Sequence, residues 1–183
     1  MARRAVFLDR DGTLIEDPGY LNDPDQVRLL PGVSEGLAAL HRAGFLLIVV
    51  TNQSGIARGR ITLEQYHAVA AKVAALTAQG GAPLTAQYFC PHLPEISGAC
   101  DCRKPGLLLF QRAIQEWDID PARSWWVGDR DRDVLPAEKL GGTGILLGHE
   151  SEPVRLAIGE RSRAIRVEDF AGAVGVILGE RAE

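Results

Sequence analysis

The stretch Ala5-Val6-Phe7-Leu8-Asp9-Arg10-Asp11-Gly12-Thr13-Leu14 decides how this chain is read. Apolar residues run unbroken to Leu8 and stop at two aspartates one residue apart, followed by glycine and threonine. Such a run predicts a strand covered on both faces, as in a parallel sheet. The polar residues then fall at the strand's carboxyl end, where open α/β sheets bind ligands. Gly12 starts a turn, so Asp11 is expected to swing in beside Asp9. Read alone, Asp11-Gly12 is more often an ordinary turn with solvated carboxylates. The downstream sequence decides between the two.

Working outward, polar, turn-rich sequence from Ile15 to Leu30 predicts a loop over the sheet's carboxyl edge. Val33 to Arg42 has helical spacing and ends at Gly44. Phe45 to Val50 is a second buried strand, stopping at Thr51-Asn52-Gln53-Ser54-Gly55. Thr62 and Gln65 form a capping box for a helix to about Gln79. Thr85 to Phe89 reads as a third strand, followed by a Pro-, Gly- and Cys-rich loop from Cys90 to Cys102. A helix is expected from Lys104-Pro105 to about Glu116, burying Leu108, Leu109, Ala113 and Trp117. Ser124 to Val127 is a fourth strand, ending at Gly128-Asp129, with a helix from Asp131 to Leu140. A fifth strand near Gly144 to Leu147, polar sequence from His149 to Arg161, an edge strand at Ile165 to Val167 and a helix from Asp169 to Leu178 complete the chain. This alternation predicts a three-layer, Rossmann-like, doubly wound α/β fold with a parallel sheet and right-handed crossovers.

The chain has 183 residues, 46% hydrophobic and 24% charged, which fits one domain spanning 1–183. Its 20 basic and 24 acidic residues give a net charge of −4, which argues against a general nucleic-acid binder. No apolar run approaches the ~20 residues that span a bilayer. Met1 to Arg4 is too short for a targeting segment. A cytoplasmic monomer acting on a small molecule, with no nucleic-acid or membrane partner, is expected.

Each predicted strand end carries chemistry: Asp9 and Asp11, then Thr51 and Asn52, then Asp129, with Lys104 after the third strand's loop. In one parallel sheet these ends share one edge. Carboxylates, a hydroxyl and an ammonium brought together suit a phosphate and a hard cation. Mg²⁺ takes a few carboxylate or carbonyl oxygens and keeps waters, which Asp9, Asp129 and a backbone carbonyl near Asp11 supply.

All three cysteines fall in one loop beside a histidine. Cys90, His92, Cys100 and Cys102 are a Cys₃His set suited to tetrahedral Zn²⁺. Core thiols are a competing reading, but Pro, Asp, Arg and Gly are not core neighbours. A Cys100–Cys102 disulfide is another, but it is strained and reduced in the cytosol. A zinc filled by four protein ligands is structural and pins the segment ahead of Arg103 and Lys104.

Asp9-Arg10-Asp11-Gly12-Thr13, Thr51-Asn52-Gln53, Arg103-Lys104-Pro105 and Gly128-Asp129 with Asp133 resemble, in order and context, the four motifs of the haloacid-dehalogenase-like (HAD-like) phosphohydrolases. The resemblance implies that Asp9 is the nucleophile, forming an aspartyl-phosphate, and Asp11 the general acid and then base. It implies that Thr51 and Asn52 hold phosphoryl oxygens, that Lys104 neutralises charge on them, and that Asp129 ligates Mg²⁺. Asp133 orients its neighbours, or is a first-turn charge favoured by the helix dipole. The Cys90-to-Pro105 segment looks like the zinc loop of the capless branch, which contains heptose 1,7-bisphosphate 7-phosphatases and histidinol-phosphate phosphatases. Ser54-Gly55-Ile56-Ala57-Arg58-Gly59 resembles the heptose enzymes more closely.

The implied activity is therefore Mg²⁺-dependent removal of the C7 phosphate of a heptose bisphosphate. A histidinol-phosphate phosphatase and a non-catalytic phosphosugar-binding module are the alternatives. A bisphosphate's second anion suits Arg103, Arg58 and Arg60, although Arg58 and Arg60 are equally well read as a solvated loop. Asp17 to Tyr20 match the family's sugar-contacting position, with a simple turn as the other reading, and Gln53 and Ser54 continue the second motif. The chain departs from the family in having Arg130 where lysine is common and Gly106 directly after Lys104-Pro105.

Overall fold

Successive residues of β1 (Ala5–Leu8) point to opposite faces, and both faces are covered. Val6 and Leu8 join one apolar cluster, Ala5 and Phe7 another. This is why the run lacks polar residues. The computed structural model describes residues 2–148 and 164–179, so the polar segment 149–161 lies outside the described residues. β1, β2 (Leu46–Asn52), β3 (Ala86–Cys90), β4 (Trp125–Gly128), β5 (Thr143–Leu147) and β6 (Ile165–Val167) form a parallel sheet in the order β3-β2-β1-β4-β5-β6. The order reverses between β1 and β4, which places the crevice of a doubly wound sheet at their carboxyl ends. Asp9 and Asp129 stand there.

The helices are α1 (Val33–Arg42), α2 (Ser54–Ala57), α3 (Leu63–Gln79), α4 (Pro94–Ser97), α5 (Leu108–Trp117), α6 (Asp131–Leu140) and α7 (Phe170–Leu178). Leu37 and Leu40 of α1, Val69 and Val73 of α3 and Phe170 and Ile177 of α7 join the cluster of Val6 and Leu8. Leu109, Phe110 and Ala113 of α5 and Ala137 of α6 join that of Phe7 and Trp126, whose rings stack at 4.6 Å between centroids. The sheet is thus the middle of three layers. The Thr62 capping box is present: its hydroxyl accepts from Gln65 N–H at 3.1 Å and its own N–H donates to Gln65 Oε1 at 2.9 Å.

The expected start of the helix after the cysteine loop is corrected. α5 begins at Leu108, not at Lys104-Pro105, because turn bonds occupy the intervening backbone: Gly106 N–H donates to Arg103 O and Leu108 N–H to Asp101 O. The buried face also differs from the expected one: Leu108 is half exposed and Phe110 is buried. α4, one turn, lies within the segment read as loop, and α2, also one turn, in sequence assigned to no element.

Candidate active site

The last residues of β1 and β2, the turn before α5 and the first turn of α6 converge on one cavity of about 420 Å³. Among the expected site residues, Asp9, Asp11, Asp17, Tyr20, Thr51, Asn52, Gln53, Ser54, Arg103 and Arg130 line it. Lys104 lies beneath it, 3% exposed. Its Nζ donates to Asp9 Oδ1 and to Val50 O, both at 2.6 Å, and sits 2.8 Å from Asp133 Oδ1. Burial alone would lower Lys104, but Asp133 and Asp9 together hold its ammonium above the usual lysine range. Asp133 is buried in the first turn of α6, and its Oδ2 accepts from Arg130 N–H at 3.1 Å. Its place in the first turn fits the helix-dipole reading and its contact with Lys104 fits the orienting one, so both hold.

One ammonium does not balance three carboxylates. Burial, and then the Asp133 charge, push Asp9 up to about 7 against the pull of Lys104. Burial and Asp133 likewise raise Asp129 to about 6, against Arg130. Oxygens of Asp9, Asp129 and Asp133 lie within 4.8 Å of one another. A Cβ at Gly12 would meet Asp129 Oδ2 at 2.6 Å, so the chain turns there, at φ +80°, as close to that carboxylate as glycine permits. A cluster of oxygens short of positive charge fits a hard divalent cation.

Asn52 uses its amide on the neighbouring backbone. Its Nδ2–H donates to Lys104 O at 3.2 Å and its Oδ1 accepts from Lys104 N–H at 2.9 Å. The geometry gives it a hold on Lys104 that the reading as a phosphoryl contact did not anticipate. Gln53 likewise faces inward, donating to Asp11 Oδ2 at 2.8 Å and Thr51 Oγ1 at 2.9 Å. Neither Arg58, at the C-terminal end of α2, nor the exposed Arg60 lines the cavity.

Sequence reasoning missed Arg10 and Arg132, which do line it. Arg10 is 1% exposed and ion-paired to Asp11. Its signal was an arginine at the end of a buried strand between two acids. Tyr20, at φ +49°, lies against Gly55: a Cβ there would meet Tyr20 Cδ1 at 2.8 Å.

Beside the cavity, Sγ of Cys90, Cys100 and Cys102 and Nδ1 of His92 lie within 4.8 Å of one another, and the thiols are free. Contacts run from 3.0 Å (Cys90–Cys102) to 3.7 Å (Cys90–His92). Zn–S bonds of ~2.3 Å in a tetrahedron place sulfurs about 3.8 Å apart, so this set fits one zinc with slight expansion. Burial raises the Cys90 and Cys102 thiols. Burial opposes but does not prevent hydrogen bonds from Cys102 and the Arg103 backbone lowering Cys100 to about 7. Arg103 Nη1 donates to His92 O at 3.2 Å, tying the cluster to the cavity wall.

A buried aspartate at a strand end, a buried lysine ion-paired to it and a second carboxylate beside it at the switch point of a parallel sheet are the arrangement of a HAD-like hydrolase. A family model described as HAD-hydrolase-like matches residues 101–170. The chain is 45% identical over 146 residues to the D-glycero-beta-D-manno-heptose-1,7-bisphosphate 7-phosphatase of Haemophilus ducreyi, covering 77% of this chain and 80% of that one. It is 42% identical to the protein of the same name from Vibrio cholerae, covering 80% and 82%. Among solved structures, the D,D-heptose 1,7-bisphosphate phosphatase of B. bronchiseptica, complexed with magnesium and phosphate, superposes with a TM-score of 0.85 at 30% identity, covering 97% of this chain and 99% of that one. This chain belongs to the HAD-like family of heptose-bisphosphate phosphatases.

Proposed function

We propose that the chain removes the C7 phosphate of D-glycero-β-D-manno-heptose 1,7-bisphosphate. The observation that carries this is Asp9, ion-paired to Lys104 at the floor of an open cavity, in a chain 45% identical to a relative named for that reaction. Lys104 holds Asp9 Oδ1, leaving Oδ2 to attack phosphorus. The new Asp9 O–P bond forms as the bond to the C7 oxygen breaks, and Asp11 gives that oxygen its proton. Asp11 then takes a proton from the water that hydrolyses the aspartyl-phosphate. The Thr51 hydroxyl and Lys104 stabilise phosphoryl oxygens, while Asn52 positions Lys104. Asp9 and Asp129, with the Asp11 carbonyl, are the residues to hold Mg²⁺. When bound, the ion neutralises charge shared by carboxylate and phosphoryl group.

Arg103 and Arg130 meet the second phosphate, Arg being suited to bidentate phosphate contacts. Asp17, Tyr20 and Ser54 shape the sugar end of the cavity, as their lining of it supports, while the Gln53 amide is turned to Asp11 and Thr51. Cys90, His92, Cys100 and Cys102 hold a structural zinc. The protein works as a monomeric domain over 1–183 in the cytoplasm, where the free thiols stay reduced. No helix among the described residues is long and apolar enough to cross a membrane.

The test is kcat/KM for both anomers of the heptose bisphosphate and for histidinol phosphate, with Mg²⁺. The β anomer is expected to be preferred by at least about tenfold, a difference of ~1.4 kcal/mol in transition-state binding. Preference for histidinol phosphate overturns the reading. So does near-normal turnover by Asp9→Asn.

A further inference from the structure

Arg10 separates the two aspartates of β1's carboxyl end, yet its side chain is not directed to solvent. It is 1% exposed, and its guanidinium lies 5.6 Å from the Tyr66 ring centroid. Nε donates to both oxygens of Asp11, at 3.2 and 3.1 Å, and Nη2 donates to Oδ1 at 3.0 Å. From the other side Gln53 Nε2–H donates to Oδ2 at 2.8 Å, and the Thr51 hydroxyl approaches the same oxygen at 3.4 Å. Arg10 Nη1 is buried with no hydrogen-bond partner among the described residues. The Asp11 side chain is 20% exposed where it borders the cavity, and Arg10, Gln53 and Thr51 line the same cavity.

A carboxylate on a turn has free χ angles unless its oxygens are held. Here both are, by a fork fixed in its plane on one side and an amide on the other. A buried arginine with a single carboxylate partner is a costly arrangement, because desolvation of the guanidinium is only partly offset. A fold keeping it next to a reactive carboxyl implies that orientation is what it secures.

We propose that Arg10 is a positioning residue: with Gln53 it fixes the Asp11 carboxyl at the cavity wall for proton transfer to the leaving oxygen. The inference rests on the reading of Asp11 as general acid. In the step concerned the Asp11 O–H proton passes to the alkoxide oxygen while the P–O bond breaks and Asp9 Oδ2 bonds to phosphorus. An alkyl phosphate needs that proton. An aryl phosphate with a good leaving group does not, because its phenolate departs as an anion.

The experiment compares kcat/KM of Arg10→Lys, Gln53→Ala and Asp11→Asn on the heptose bisphosphate and on para-nitrophenyl phosphate, with Mg²⁺. kcat/KM reports steps up to departure of the leaving group, so later hydrolysis of the aspartyl-phosphate does not enter. Arg10→Lys is expected to lose on the order of 10²-fold on the alkyl ester and less than about fivefold on the aryl ester, the pattern of a lost general acid. Gln53→Ala is expected to show the same selective loss to a smaller degree, and it carries the test if Arg10→Lys does not fold. Equal losses on both esters, or none on either, overturn the inference while Asp11→Asn still shows the selective loss. If Asp11→Asn itself loses both activities equally, the general-acid reading fails and this inference falls with it.

Discussion

Asn52 and Lys104 hold each other by two hydrogen bonds, side-chain amide to main chain in both directions, at 3.2 and 2.9 Å. The end of β2 thereby fixes the backbone of a residue whose ammonium reaches back to Asp9 at the end of β1. Two strand ends and one loop are locked into a single unit.

Asn52→Ala removes both bonds without touching the ammonium. The expected outcome is a fall in kcat on the order of 10²-fold, the scale of misplacing a reacting group by about 1 Å. Asn52→Asp keeps the acceptor for Lys104 N–H and is expected to fall between the two. Steady-state kinetics with Mg²⁺ checks the order.

Lys104→Met leaves Asp9 and Asp133 as buried acids without their cation. Removing one partner of a buried ion pair costs about 3–5 kcal/mol, so a large drop in the urea midpoint is expected together with loss of turnover. Adding Asp133→Asn to Lys104→Met is expected to recover part of the stability and none of the activity.

Asp9 and Asp129 titrate at about 7 and 6 in the metal-free protein, above the 3.8 of an unfolded chain. A raised carboxyl favours folding most below its unfolded value, and that contribution is lost as pH rises through the folded value. Metal-free stability from these two groups therefore declines from about pH 4 to pH 7. Mg²⁺ needs both carboxylates ionised, so its affinity moves the other way. The Mg²⁺-induced rise in Tm should be larger at about pH 8 than at about pH 5.5. An equal or smaller rise at the higher pH contradicts the assigned ligands.

Metal analysis of protein purified without chelator should find about one zinc per chain, and Cys102→Ser should lower that occupancy. Because Arg103 and Lys104 follow the cluster directly, the same substitution should reduce both Tm and phosphatase activity. A chain that carries no zinc and keeps full activity contradicts the structural role.

The sheet was legible because its chemistry interrupts its apolar runs. Ala5 to Leu8 and Leu47 to Val50 are buried on both faces, so Asp9 and Thr51 stand out where they end. The capping box of α3 was legible because it is local: three residues separate Thr62 from Gln65. The start of α5 was not, since the hydrogen bonds of Lys104 and Leu108 go to Asn52 and Asp101. Arg10 was overlooked for a related reason: between two acids it reads as a solvated spacer. Only the tertiary fold shows it buried against Tyr66 with Asp11 as its partner. The turn helices α2 and α4 have four residues each, too few to display a period.

The run from Cys90 to Lys104 brings its own anchoring cluster and both of its cationic side chains, and Asn52 receives it with two bonds to main-chain atoms. Main-chain atoms are the same whatever sequence supplies them. The loop is therefore a cassette: exchanged whole between related enzymes, it would carry Arg103 and Lys104 with it and dock through the same two main-chain bonds to Asn52.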